Sequence, residues 1–306
     1  FAIENTTVSI SETKKNVYIA IIIDEGDKYN FGDIKISGKY YPLKEESIFQ
    51  NDIKTIKGEV FSRKLLNQST ELINKELGNY GYAFSNVNPI PDVDKDNLTV
   101  GFNYFIEPGK KVYVRRISFI GNEKTQDKVL RREMRQFESS YYDQEKIDQS
   151  TRRLKRTQYF EGVDIKTVSV PGISDQVDLT VAVKEKNTGS VKLGAGASSD
   201  EGLVGSFSVT QANFLGTGNT VSASINTSSV NTVYSLSHID PYFTPDGISR
   251  RLTGYMRETN TKDLDTGQYD KKSYGAGVGF GVPMNEFDTV NIGFDFDMSD
   301  ITLVDS

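Results

Sequence analysis

The chain has 306 residues with no cysteine, one histidine and a formal net charge of −6. The absence of cysteine excludes disulfides, thiolate catalysis and cysteine-ligated zinc, and the acidic balance argues against general nucleic-acid affinity. No apolar run reaches the roughly eighteen residues of a membrane helix, whereas a membrane β-barrel is still permitted.

Phe1 opens neither a signal peptide nor a complete repeat, so we expect an excerpt of a longer protein. A strand ending in Asn16-Val17-Tyr18-Ile19 recurs as Asn97-Leu98-Thr99-Val100 and again as Val177-Asp178-Leu179-Thr180-Val181. The pattern leading up to it occurs twice in full at a spacing of about 82 residues, which implies stacked domains. New strands open at Phe31 to Gly38 and at Val114 to Asn122, each closed by a glycine turn signal.

Helical spacing follows each opening strand. In the first copy Ser62 is placed to cap a helix carrying Leu66, Ile73 and Leu77, which ends at Asn79-Tyr80-Gly81-Tyr82. In the second copy Leu130, Met134 and Phe137 share one face, and Ile147 and Leu154 share another after Asp143. Each unit therefore reads strand, helix, helix, strand, strand.

From about Asn187 charged helices give way to alternating segments of about ten residues rich in glycine, serine and threonine. Val191, Leu193, Ala195 and Ala197 fall on one face of the first, and Ser190, Lys192, Gly194 and Gly196 on the other. Tyr274, Ala276, Val278, Phe280 and Val282 likewise oppose four glycines from Gly275 to Gly281. A soluble sandwich would bury the apolar face, and a membrane barrel would turn it to lipid. Small hydroxyl-rich polar faces, aromatic residues near strand ends (Phe214, Tyr242, Phe243, Phe287) and hairpin-length connections favour the barrel. Strand alternation then puts the turns Phe214 to Asn219, Tyr242 to Gly247 and Pro283 to Asp288 at one end, and Asp263 to Gly267 at the other.

No enzyme is expected. His238 stands near a strand end beside Asp240, with neither a triad nor a histidine metal cluster around it. The run Gly275 to Gly281 lies inside an alternating strand with no helix after it, unlike a dinucleotide loop. Asp92, Asp94 and Asp96 have the opening spacing of a calcium loop, but Asn97 replaces the turn glycine and Asn103 the closing glutamate. No cofactor or metal is expected.

Three stretches carry a family resemblance: Val129-Leu130-Arg131-Arg132-Glu133-Met134-Arg135-Gln136, Asn213-Phe214-Leu215-Gly216-Thr217-Gly218-Asn219 and Asp240-Pro241-Tyr242-Phe243-Thr244-Pro245-Asp246-Gly247. With them the chain resembles the BamA family of outer-membrane assembly factors. The fold class this implies is α+β POTRA repeats (β-α-α-β-β) followed by the N-terminal part of an antiparallel transmembrane β-barrel. Residues 1–28 would end one POTRA domain, 29–110 would form the fourth, 111–187 the fifth, and 188–306 the first seven or so strands of the family's sixteen-stranded barrel.

The resemblance implies residence in the Gram-negative outer membrane with the POTRA domains in the periplasm. It further implies a central assembly component that receives unfolded outer-membrane proteins and templates their insertion into the bilayer. The alternatives are a polypeptide-translocating or secreting relative of the same architecture, or a passive pore with periplasmic binding domains. The expected partners are unfolded clients, a tetratricopeptide lipoprotein, other lipoprotein subunits and outer-membrane lipid, without nucleic acid.

Two constellations stand out. Arg131, Arg132, Glu133 and Arg135, followed by Arg152, Arg153, Lys155 and Arg156, read as a solvated polar face, and the resemblance implies that the first group docks the tetratricopeptide lipoprotein. The first barrel strand comprises Gly189, Ser190, Val191, Lys192, Leu193, Gly194, Ala195, Gly196 and Ala197, whose small side chains give little cross-strand packing and suit a gate. The resemblance implies a lateral seam at which client strands pair by β-augmentation.

Overall fold

A computed structural model of the chain describes residues 2–11, 14–24, 26–39, 49–199, 201–260, 269–286 and 288–303. The expected turn from Asp263 to Gly267 and the aromatic Phe287 lie outside the described residues.

The strands β1 (Ala2–Ile10) and β2 (Val17–Asp24) form an antiparallel pair. The first full repeat follows with β3 (Asn30–Gly38), α1 (Arg63–Asn79), β4 (Asn86–Asp94) and β5 (Thr99–Glu107), in the sheet order β3-β5-β4. The last strand of the repeat is thus the central one, parallel to β3 and antiparallel to β4. Its alternate residues Val100, Phe102, Tyr104 and Ile106 are all buried, in a core completed by Phe31, Phe49, Ile73 and Leu77. Because a central strand must bury one whole face, its alternation is the strongest pattern in the unit, which explains why it announces the repeat in the sequence.

Ser62 caps α1 with backbone angles of φ −134° and ψ 113°, its hydroxyl accepting from the Leu65 N–H at 3.4 Å. At the other end Gly81, at φ +98°, donates to the Gly78 carbonyl, and Tyr82 donates to the Leu77 carbonyl. That double bond is the Schellman closure, and the left-handed position it requires is one glycine adopts without steric cost.

The second repeat comprises β6 (Tyr113–Ile120), α2 (Asp127–Arg131), α3 (Gln144–Arg156), β7 (Phe160–Ser169) and β8 (Gln176–Glu185). Its sheet order β6-β8-β7 reproduces that of the first, with Val177, Leu179, Val181 and Val183 buried along β8. One expectation is corrected here. Periodicity put Phe137 on the same buried face as Leu130 and Met134, yet α2 ends at Arg131 and Phe137 is 63% exposed. The segment has left helical geometry by then, with Ser139 at φ +63°, so helical spacing no longer governs its faces.

The remaining strands form one seven-stranded antiparallel sheet. They are β9 (Gly189–Ser198), β10 (Gly202–Phe214), β11 (Asn219–Thr227), β12 (Asn231–Asp240), β13 (Ser249–Asn260), β14 (Tyr269–Pro283) and β15 (Thr289–Leu303). Each pairs with its chain neighbour, so the topology is up-and-down, and among the described residues β9 and β15 are its outermost strands. The glycine face of β14 has a packing reason. A Cβ on Gly275 would strike the Tyr255 ring, one on Gly277 the side chains of Asp295 and Thr253, and one on Gly281 Ser249 and Asn291. Small residues there make room for larger polar and aromatic side chains on the neighbouring strands.

Asp94 also has a local role. Its carboxylate accepts from the backbone N–H groups of Asp96 and Asn97, both at 3.0 Å, and from the Asn97 amide at 2.7 Å, tying the β4–β5 turn.

Candidate functional sites: a charged joint and the outer edge of β9

The expected docking residues do not form one solvated face. Arg131 turns back to its own sheet, with its guanidinium 5.0 Å from the Phe119 ring centroid and a hydrogen bond to the Ile117 carbonyl at 3.3 Å. Glu133 is only 7% exposed. Its Oε2 pairs with Arg153 Nη2 from α3 at 2.9 Å, and its Oε1 lies 3.9 Å from Arg132 Nε.

Arg153 is the hub of a cluster that reaches two turns of the sheet. Its Nη1 pairs with Glu286 of the β14–β15 turn at 2.6 Å, and its Nη2 donates to the Tyr242 hydroxyl of the β12–β13 turn at 2.8 Å. Arg135 adds a second pair to Glu286 at 3.1 Å, and the Arg132 guanidinium stacks 4.3 Å from the Tyr242 ring centroid.

Two carboxylates therefore share one guanidinium, which satisfies it better than either alone would in a half-buried setting. Burial pulls Arg153 downward, but the bond to Glu286 and the charge of Glu133 outweigh it and raise the guanidinium above its usual value. Burial pushes Glu286 upward, and the bonds and charges of Arg153 and Arg135 more than offset it, leaving the carboxyl below the ordinary range. Burial, then the charge of Glu133, raises the Tyr242 hydroxyl.

Sequence reasoning missed Tyr242 and Glu286 as members of this cluster. The stretch around Pro241-Tyr242 was visible as a motif, but nothing local shows that its ring meets Arg132. Glu286 sits in an ordinary polar turn and gave no signal.

The turn between β10 and β11 is seated in a different way. Asn213 Nδ2 donates to Thr125 Oγ1 at 2.7 Å, the Gln126 N–H donates to the Gly216 carbonyl at 3.0 Å, and the buried Tyr159 hydroxyl donates to the Gly218 carbonyl at 2.9 Å. The receiving loop is itself braced by Glu185, whose carboxylate accepts the N–H groups of Lys124 at 3.1 Å and Thr125 at 2.7 Å.

The second site is the outer edge of β9. Every residue from Gly189 to Ser198 is exposed, and the strand pairs with β10 in unbroken register. The hydrogen-bond phase follows from one contact. The Ala212 N–H donates to the Thr188 carbonyl at 3.2 Å, and residues 188 and 212 continue the register that pairs Gly189 with Gln211. In an antiparallel ladder such directly bonded pairs alternate with non-bonded ones. Ser190, Lys192, Gly194, Gly196 and Ser198 thus direct their main-chain groups to β10. Gly189, Val191, Leu193, Ala195 and Ala197 direct theirs away from β10, to the side on which no strand pairs among the described residues. The glycines have a complementary reason: a Cβ on Gly189 would meet Gln211 Oε1, and one on Gly194 would meet Ser206 Oγ.

The POTRA family model, described as a surface antigen variable number repeat, matches residues 29–109 and 112–186, and the Omp85 superfamily domain matches 213–306. The chain is 36% identical to the outer membrane protein assembly factor BamA of Neisseria meningitidis over 96% of its own length and 37% of the relative's. It is 29% identical to the protein of the same name from Buchnera aphidicola, covering 97% of this chain and 48% of that one. Among solved structures it superimposes with a TM-score of 0.78 and 32% identity on BamA from Haemophilus ducreyi lacking POTRA domains 1–3, covering 90% of this chain and 52% of the other. The chain thus spans less than half the length of these two curated relatives.

Proposed function

This chain belongs to the BamA family of outer-membrane assembly factors, and we propose on that footing that it is the central part of a machine that folds and inserts β-barrel proteins. Its place is the Gram-negative outer membrane, with the POTRA repeats on the periplasmic side. Unfolded clients arrive from the periplasm and add strands to β9, so that main-chain hydrogen bonds, without covalent catalysis or nucleotide energy, drive ordering. The observation that carries this reading is the phase of the β9 ladder: alternate N–H and C=O groups from Gly189 to Ala197 face away from β10, toward an edge that no other strand pairs among the described residues. A backbone group without a partner costs several kcal/mol in lipid, so pairing of this edge with a client strand is favoured whenever its own partner strand parts from it. Reconstitution of the full-length protein in liposomes tests it. Accelerated folding of a client barrel is expected, and solute leakage without such acceleration identifies a passive pore.

The reading extends to subunit docking. Arg131, Arg132, Glu133 and Arg135 form the proposed contact for a tetratricopeptide lipoprotein, with other lipoprotein subunits completing the machine. Since Glu133 is already bonded to Arg153, a basic group of the partner would take over that carboxylate by exchange. Glu133→Lys is expected to weaken lipoprotein binding by about 1–3 kcal/mol. Arg153→Gln is the matched control, because it disturbs the cluster while leaving the carboxylate in place. Loss in the first variant alone supports docking on Glu133, and equal loss in both assigns the effect to the cluster.

A further inference from the structure

The β10–β11 turn is built into the last α+β repeat by shape as well as by hydrogen bonds. Asn213 and Leu215 both sit at φ +51°, a left-handed conformation that asparagine tolerates and leucine adopts at a cost. Gly216, at φ +71°, has no room for a side chain, because a Cβ would overlap the Lys124 carbonyl oxygen. Gly218, at φ +80°, would drive a Cβ into the Arg132 guanidinium. Asn213 closes the turn on itself, its Oδ1 accepting from the Gly218 N–H at 2.9 Å while its Nδ2 reaches Thr125. Backbone strain of this kind persists only where the surroundings over-determine it.

This seating differs in kind from the charged cluster around Arg153. Ion pairs with a partly exposed member such as Glu286 exchange readily, whereas interlocked backbone with no space for one methyl group does not. The chain entering β9 is attached to the same place: the Lys186 N–H donates to the Tyr159 carbonyl at 3.1 Å, and Thr188 Oγ1 donates to the Ala212 carbonyl at 2.6 Å. β10 is therefore clamped at its end nearest the repeats, and β9 is tied there through Lys186 and Thr188, while from Gly189 to Ala197 its outer edge has no pairing strand among the described residues.

We infer that Asn213, Gly216 and Gly218, seated against Thr125 and Tyr159, are positioning residues that keep β10 fixed to the last POTRA domain throughout client insertion, so that β9 exchanges edge partners against a stationary strand. The inference rests on the reading of β9 as the templating strand. It requires that any movement of the periplasmic domain carry β10 along, and that freeing the turn blur the position of β9.

The test uses full-length protein, with its lipoprotein partners, in liposomes. Thr125→Cys with Asn213→Cys replaces a contact between two side chains by a thiol pair; the 306 residues contain no other cysteine. Reduced, this pair lacks the hydrogen bonds of Asn213, and insertion is expected to slow; bridged by oxidation or dibromobimane, it is expected to return to within about threefold of the unmodified rate. If bridging slows insertion below the reduced rate, the turn must open during the cycle and the inference is overturned. Gly216→Ala supplies the opposite perturbation, and a fall of about tenfold or more is expected with heat-modifiable gel mobility unchanged. The same substitution in the bridged background should recover the rate, which a merely structural defect would not do. Gly216→Ala inserting at the unmodified rate also overturns the inference. Ala195→Pro, run alongside, separates the two claims: if it leaves insertion untouched, the templating reading fails, and the effect of bridging still decides whether the turn stays closed.

Discussion

β4 and β9 are both edge strands, nearly equal in length, and they treat their outer edges in opposite ways. β4 carries Pro89 and Pro91 at alternate positions while keeping an unbroken antiparallel register with β5. Proline without an N–H is compatible with that register only where the missing donor faces outward, so β4 is blunted against further pairing. β9 has no proline, and its outward positions Val191, Leu193, Ala195 and Ala197 keep every donor. Among the described residues, β9 thus keeps the outward donors that β4 lacks, and it is the edge proposed to receive clients.

The contrast can be broken from the inner side of β9. Gly194 directs its N–H to β10, so Gly194→Pro removes a ladder bond and sets a ring against the Ser206 side chain; a loss of about 3 kcal/mol or more is expected. The measurement is the temperature at which the full-length barrel loses its heat-modifiable mobility. An unchanged transition would show that the assigned phase of the ladder is wrong.

Much of this was legible in the chain. The buried alternation of Val100 to Ile106 and of Val177 to Val183 marked the central strands, and the two-faced segments after Asn187 marked the sheet. The solvated face expected for Glu133 was not legible correctly, because its neutralising partner and the turns behind it come from Arg153, Tyr242 and Glu286. Periodicity reports only the element on which a residue sits. The phase of the β9 ladder was equally hidden, since side-chain alternation is the same for either phase and only the bond from Ala212 to Thr188 decides it.

Donors restored to β4 sharpen the comparison from the other edge. Replacing Pro89 and Pro91 together by valine should leave the β3-β5-β4 sheet intact while making its edge competent to pair. Self-association should rise by a few-fold, equivalent to about 1 kcal/mol, in sedimentation of the full-length protein in detergent. No change would mean that features other than proline protect that edge.

A smaller effect concerns acid. The carboxyl of Glu286 is lowered by Arg153 and Arg135, so its contribution is fully present above the unfolded carboxylate value and is lost as pH falls through the lower folded value. With a side chain 35% exposed, the effect should stay under about 1 kcal/mol. Spin labels on α3 and on the β14–β15 turn should separate only below about pH 4.5, and Glu286→Gln should make their distance independent of pH in that range. Separation beginning near neutrality would point to a different group.

The most direct measurement places the β4 device on β9. Ala195→Pro removes one outward donor and leaves every bond to β10 in place, whereas Ala195→Val at the same site keeps the donor. Client insertion by full-length protein in liposomes should be slowed severalfold or more by proline and barely changed by valine, with both variants retaining intact barrels. Equal insertion rates for the two, on intact barrels, would contradict the account, because the outer edge of β9 would then not be the template.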